Sequence, residues 1–184
     1  YILIGSGIGV SAIQLAKMNG NKVVVTVGSE EKAQACLALG ADHAINYKDG
    51  DWSAKAVALT REQKGFDFLL DFVGANYWNA NLKSMREDGR MVMLGFLSGT
   101  KVTDADLAPI LTKRIRIIGS QLRTRSKQFK GDLTQDFIQK KLPLFDTKQL
   151  KPVVDTVFDW TEIQAAHLLM EKNQNVGKIV VSGM

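Results

Sequence analysis

Cysteine and histidine are nearly absent from this chain, which has one Cys, at position 36, and His only at positions 43 and 167. A lone thiol makes neither an internal disulfide nor a multi-cysteine zinc site, and Cys36, inside a helical stretch, reads as a small core residue. The two imidazoles lie far apart without ligand spacing, so no protein-bound metal is expected. Equally missing is any apolar run near the roughly 18 uncharged residues of a membrane span. No charged leader precedes a cleavage-type apolar stretch either, and the expectation is a cytoplasmic protein with no membrane partner. Repeats and low-complexity tracts are lacking as well, and 45% hydrophobic with 23% charged residues is an ordinary globular composition. No side chain stands out as a general acid, so no catalytic residue is assigned.

What is present starts with glycine. Gly5-Ser6-Gly7-Ile8-Gly9 follows an apolar run and opens a helical stretch over 10–18. Small residues at a strand-to-helix turn let backbone N–H groups approach an anion, and the helix dipole favours its charge. The spacing is Gly-x-Gly-x-Gly rather than Gly-x-Gly-x-x-Gly, so the turn alone is also compatible with a tight connection that holds no ligand.

Apolar β-branched runs alternate with helix-period segments throughout, the pattern of a parallel sheet covered on both faces. Strands are predicted at 2–4, 22–27, 43–47, 66–73, 90–95 and 115–120, the six of a complete doubly wound (Rossmann) α/β domain. Between them, Ser29 reads as the N-cap of a helix over 30–39, with Glu30 and Glu31 in its first turn. Further helices are predicted over 51–61 and over 77–85, the latter ending before a turn at Asp88-Gly89. The pattern then loosens into a basic stretch, a helix over 127–141, Pro143, a strand over 153–158, a helix over 161–172 capped by Thr161, and a strand over 178–182. The domain reading is 1–122 for the dinucleotide-binding unit and 123–184 for a segment that packs on something other than the sheet's own core.

The tip of the second strand narrows the ligand. An NAD-binding domain usually carries Asp or Glu there for the ribose 2′-hydroxyl. This strand ends in Gly28-Ser29, with Lys32 one helical turn later. Gly28 leaves room for a 2′-phosphate, Ser29 can donate to it and Lys32 can offset its charge, so the chemistry leans to NADP over NAD. Glu30 and Glu31 keep the other outcome open, because either reaches a ribose if the strand ends later. An S-adenosylmethionine-binding methyltransferase is disfavoured by the same missing carboxylate.

Several motifs together carry a resemblance. Gly7-Ile8-Gly9 with Ala12-Ile13-Gln14-Leu15-Ala16-Lys17, Val27-Gly28-Ser29 with Lys32, Ile45-Asn46-Tyr47, Asp71-Phe72-Val73-Gly74, Leu122-Arg123-Thr124-Arg125 and Val176-Gly177-Lys178-Ile179-Val180 resemble the zinc-free quinone oxidoreductases. These form the zeta-crystallin-like branch of the medium-chain dehydrogenase/reductase superfamily, and the tumour-suppressor-inducible type shares the Leu-Arg-x-Arg segment. The resemblance implies an NADPH-dependent reductase of quinones or related enones. It implies that Ser6, Gly7, Ile8 and Gly9 hold the pyrophosphate, and that Gly28, Ser29, Lys32 and Tyr47 surround the 2′-phosphate. Val73, Gly74, Gly95, Phe96 and Leu97 would line the nicotinamide end, with Gln121, Leu122 and Asn175 nearby. Gln121 departs from the apolar residue expected, and the glycine turn is shorter than the family's Ala-Gly-x-Ser-Gly-Val-Gly form. Without the family, Tyr47 reads as a half-buried aromatic at a strand end.

The resemblance further implies a GroES-like catalytic domain, on the order of 120 residues as single domains go, ahead of the glycine turn. The expectation is that this chain lacks it. Its C-terminal third would be the segment that completes that domain, and is expected to expose apolar surface and to be partly disordered, rearranged or part of a longer native protein.

The net charge of +5 suits an anionic ligand. Lys113, Arg114, Arg116, Arg123, Arg125, Lys127 and Lys130 crowd into one stretch, which raises the alternative of a non-catalytic NADPH- and RNA-binding module. Phe129 alone interleaves that cluster, too little stacking surface for single-stranded bases, and a solvated basic face is preferred. The sixth strand is apolar and expected at a sheet edge, where pairing with a second copy would make a homodimer.

Overall fold

The computed structural model describes residues 2–3 and 7–183, so Gly5 and Ser6 of the glycine turn lie outside the described residues. The first two-thirds of the chain alternates strand and helix: β1 (Ile2–Leu3), α1 (Gly7–Met18), β2 (Val24–Val27), α2 (Glu30–Ala38), β3 (His43–Asn46), α3 (Trp52–Ala58), β4 (Phe66–Asp71), α4 (Trp78–Ser84), β5 (Met85–Met93), α5 (Ala108–Thr112) and β6 (Arg116–Gly119). The strands form one parallel sheet in the order β3-β2-β1-β4-β5-β6. The chain winds outward from β1 to β3, then returns to the middle as β4. Ligands of open α/β sheets bind beyond the carboxyl ends of the strands at such a reversal, here between β1 and β4.

The sequence of β2 shows why both faces are covered. Its residues are all buried, and alternate side chains go to opposite layers. Val23, Val25 and Val27 join Ile13, Ala33, Cys36 and Ala41 under α1 and α2. Val24 joins Ile45, Trp52, Ala56, Leu69, Leu82 and Met91 on the other side. Each fully buried aliphatic side chain here contributes roughly 1.5–3 kcal/mol. Cys36 is fully buried, and burial pushes its thiol up to about 11, consistent with a packing role.

Local chemistry sets the element ends. Ser29 caps α2 by accepting from the Lys32 N–H at 3.3 Å. Asp51 caps α3 through the N–H groups of Ser53 and Ala54 and pairs with Lys83 on α4 at 2.9 Å. The Ser53 hydroxyl, the Lys83 ammonium and the Ala54 N–H hold its carboxyl far below the usual carboxylate range.

Two expectations are corrected, and two short helices are additional. The segment around Asp88-Gly89 is not a free turn: it is a bulge inside β5, where partners shift from Phe66↔Met85 to Phe68↔Arg90 and Asp88 takes φ 59°. The C-terminal helix is capped by Asp159 and not by Thr161. The Asp159 carboxylate accepts from the Thr161 N–H and hydroxyl while Glu162 reaches back to the Asp159 N–H, a capping box that starts one 3-10 turn earlier. Two short helices, α5 and the later α7 (Pro143–Asp146), carry too few residues to show a period.

The last third holds α6 (Lys127–Lys140), α7, β7 (Val154–Asp159), α8 (Ile163–Glu171) and β8 (Lys178–Ser182). β7 and β8 pair in parallel as a separate two-stranded sheet. This unit is regular, and it leaves Val154, Val157, Leu168 and Met170 exposed. It docks on α1 through Gln14, whose amide donates to the Lys151 carbonyl at 3.1 Å and accepts from the Lys151 N–H at 2.8 Å. Among the described residues no helix is long and apolar enough to cross a membrane.

Candidate functional site

One cleft, of 510 Å³, opens at the carboxyl ends of β2 and β3 and gathers four of the predicted residues: Gly28, Ser29, Lys32 and Tyr47. Tyr47 leaves β3 with its N–H on the Val27 carbonyl at 3.0 Å, which turns its ring over the end of β2. A Cβ on Gly28 would stand 2.5 Å from the Tyr47 hydroxyl, so any larger residue there would push the ring aside. Tyr77 meets that ring edge-on at 6.2 Å and fixes its far side.

Lys32 is only 8% exposed although it lies on the first turn of α2. Its ammonium donates to the Asn173 carbonyl at 2.6 Å and to the Asn173 Oδ1 at 3.2 Å, just past the end of α8. Two of its three protons are thereby used, and burial holds its pKa below the ordinary lysine value. The contact also covers a free carbonyl at the negative end of α8. The same cleft takes in Lys48, Lys172, Gln174 and Glu31. The Glu31 backbone N–H, and after it the Ser29 hydroxyl, keep the Glu31 carboxyl low.

Gly7 begins α1, and Gly9 is buried within its first turn. A Cβ on Gly7 would overlap the Lys178 side chain, which crosses the helix start from β8. Ile8, next in the turn, is exposed. Glycine thus lets a lysine from the far end of the chain lie at the positive end of α1. Ser6 lies outside the described residues.

The other predicted group sits beyond β4, β5 and β6. The Asp71 carboxylate at the end of β4 accepts from the N–H groups of Val73 at 2.8 Å and Gly74 at 3.1 Å, folding the loop back on itself. Burial raises the pKa of Asp71, against the pull of those N–H groups. Gly74 has φ 85° and ψ −124°, and a Cβ there would stand 2.8 Å from the Gly99 carbonyl oxygen. The loop after β5 is stitched to it: the N–H groups of Leu97 and Ser98 donate to Phe72 and Val73 at 3.0 and 2.8 Å. Gly95, Phe96 and Gln121 line a second cleft of 600 Å³ between β5 and β6. Phe96 is half-exposed, while Leu97 and Leu122 point into solvent and, like Val73, Gly74 and Asn175, line neither cleft. Asn175 instead donates to the Gly177 carbonyl at 3.0 Å and shapes the loop into β8.

Four of the seven basic residues of the cluster have jobs within the fold. Lys113 donates to the carbonyls of Leu82, Lys83 and Met85 and so closes the end of α4. Arg114 pairs with Glu87 and Asp88. Arg125 stacks over Phe129 at 5.0 Å, and Lys130 donates to the Arg123 carbonyl at 2.8 Å. Sequence reading missed Lys48, Lys172, Asn173 and Lys178 as site neighbours. For Lys48 the adjacency to Tyr47 was a usable signal; for the others nothing in the spacing says that α8 and β8 return to the starts of α1 and α2.

Comparison with known proteins agrees with this architecture. A family model described as zinc-binding dehydrogenase matches residues 7–140. A zinc-type alcohol dehydrogenase-like protein of Schizosaccharomyces pombe is 29% identical over 98% of this chain and 50% of its own length. Mouse prostaglandin reductase 1 is 29% identical over 97% of the chain and 53% of its own. The crystal structure of Escherichia coli quinone oxidoreductase complexed with NADPH superposes with a TM-score of 0.81 at 25% identity, covering 98% of this chain and 55% of that one. The chain thus spans about half the length of the relatives it matches. Among the described residues, no cluster of three or more His, Cys, Asp or Glu could hold a metal ion. The reach of the family match over most of the Rossmann sheet, together with reductase relatives along nearly all of the chain, decides the assignment: the chain belongs to the zinc-binding dehydrogenase family of the medium-chain dehydrogenase/reductase superfamily, as a quinone oxidoreductase-like member.

Proposed function

We propose that this chain is the cofactor-binding part of an NADPH-dependent reductase acting on quinones or related enones. The observation that carries the reading is the cleft at the tip of β2, where Lys32, Lys48 and Lys172 face one carboxylate, Glu31, beside a glycine floor and the Tyr47 ring. A 2′-phosphate with a charge of about −1.5 to −2 fits such a surplus of cations. The pyrophosphate would then lie over the start of α1, with Lys178 as an added cation, and the nicotinamide against Gly74, Gly95 and Phe96. When bound, the nicotinamide supplies the hydride, while the protein orients the ring and limits water. No proton donor is assigned to this chain's own residues.

Glu31 supports a second reading, NAD through its ribose 2′-hydroxyl, because its carboxylate lines the same cleft. Titration of the protein with NADPH and with NADH by nucleotide fluorescence separates the two. NADPH is expected to bind at least about tenfold more tightly, a difference of about 1.4 kcal/mol. Equal binding or an NADH preference overturns the NADPH assignment, and no binding of either sinks the cofactor reading.

The proposed assembly is a homodimer through β6. This strand ends the sheet, and Ile118 on it is exposed, leaving an unpaired edge that a second copy would extend. A monomeric mass in solution at micromolar concentration excludes it. The RNA reading is disfavoured by the engagement of Lys113, Arg114, Arg125 and Lys130 within the fold, which leaves Arg116, Arg123 and Lys127 to face solvent.

A further inference from the structure

The Lys32 ammonium stands at the back of the cleft with two of its three donors on Asn173, leaving one for a ligand. One buried, partly committed lysine whose charged form is already disfavoured by desolvation is a poor match for a phosphate dianion. The cleft walls supply what is missing. Lys48 follows Tyr47 off β3, and Lys172 is the C-cap of α8. Both are exposed, and among the described residues neither shows a carboxylate or carbonyl partner for its ammonium. Asp155 on β7 favours the Lys32 charge, and Lys48 stands near enough to disfavour it. Unpartnered like charges converging on one pocket raise their mutual repulsion, which a bound anion relieves.

We propose that Lys48 and Lys172 are specificity-determining residues that clamp the cofactor's 2′-phosphate, one from the end of β3 and one from the end of α8, with Lys32 as the fixed cation behind it. The inference rests on the NADPH reading and deepens it. It also gives α8 a purpose in that site: the helix end that masks its own carbonyl with Lys32 delivers a cation to the ligand. The two lysines come from the end of β3 in the Rossmann sheet and from the end of α8 in the C-terminal unit, so phosphate binding ties the two units together.

The test compares dissociation constants of NADPH, NADH, 2′,5′-ADP and 5′-AMP for the unaltered protein, Lys48→Met, Lys172→Met and the double variant. Each single change is expected to weaken NADPH and 2′,5′-ADP by about fivefold, and the double change by about 20-fold or more. NADH and 5′-AMP should stay within about twofold. The salt dependence of NADPH binding should become shallower in the double variant, since fewer charges face the ligand. Both lysines are exposed, and an unchanged melting temperature verifies that the fold is intact. Equal weakening of phosphorylated and unphosphorylated ligands overturns the clamp, because it reduces the lysines to a general electrostatic background. An unchanged NADPH-to-NADH ratio in a protein that does bind NADPH overturns it as well, while leaving the cofactor reading standing. If the unaltered protein binds neither dinucleotide, the cofactor reading fails and the clamp with it.

Discussion

Gly74→Ala is expected to lower stability by about 2–4 kcal/mol and to abolish productive nicotinamide binding. At φ 85° and ψ −124° the backbone occupies a region that L side chains avoid, and the added Cβ would stand 2.8 Å from a carbonyl oxygen and 3.0 Å from the Phe96 ring. Neither neighbour can yield cheaply, because the Gly99 carbonyl accepts the Ala75 N–H and the Phe96 loop is tied to Phe72 and Val73. The thermal midpoint should fall by roughly 5–15 °C for a domain of this size. A scan that shows less than about 2 °C of change would mean that the loop relaxes freely and does not define the nicotinamide end.

Asp71→Asn separates loop shape from charge at the same place. An amide oxygen still accepts from Val73 and Gly74, while the buried charge is gone. Because burial raises the Asp71 pKa in the fold, its stabilising share is full below the unfolded carboxylate range and is lost as pH rises through the folded value. The Asn variant should therefore be at least as stable as the original at neutral pH and should lack that pH-dependent loss.

Lys32→Met should weaken NADPH by about 10- to 100-fold, the range for a charge-assisted hydrogen bond of about 1.5–3 kcal/mol, with a much smaller effect on NADH. The substitution keeps the buried stem and removes the ammonium, so the loss reads charge and not packing. It also strips the donor from the Asn173 carbonyl, and faster amide exchange around residues 172–175 is the expected companion signal. In the unaltered protein NADPH affinity should decline with rising pH sooner than an ordinary lysine permits, because burial lowers the pKa and the charge leaves earlier. A Lys32→Met protein that keeps its NADPH-to-NADH ratio removes Lys32 from the site.

The two kinds of residue were not equally legible. Gly28, Ser29 and Lys32 could be picked out from the tip of the second strand, and Tyr47 only from the resemblance; the neighbouring ends of two parallel strands bring all four into one cleft. Gly95 and Phe96, named from the resemblance at the end of the fifth strand, line the second cleft, whereas Val73 and Gly74 line neither. Asn175 and Leu122, taken from resemblance alone, lie outside both clefts. The bulge at Asp88 read as a turn because an aspartate-glycine pair bends the chain in either setting, and the pairing with β4 decides which.

Alternating apolar runs and helix periods by themselves determined the doubly wound sheet, because each strand buried on both faces must be hydrophobic throughout and each connecting helix must carry one apolar stripe. Glycine at the tip of the second strand, by its lack of a side chain, likewise pointed to a phosphate in place of a carboxylate partner. Only the tertiary structure decided the charge balance of the cleft. Lys32 is committed to Asn173, and Lys172 and Lys178 arrive from the other end of the chain through α8 and β8. Such meetings depend on how the C-terminal unit docks on α1 and α2, a long-range packing outcome that no local period or spacing encodes.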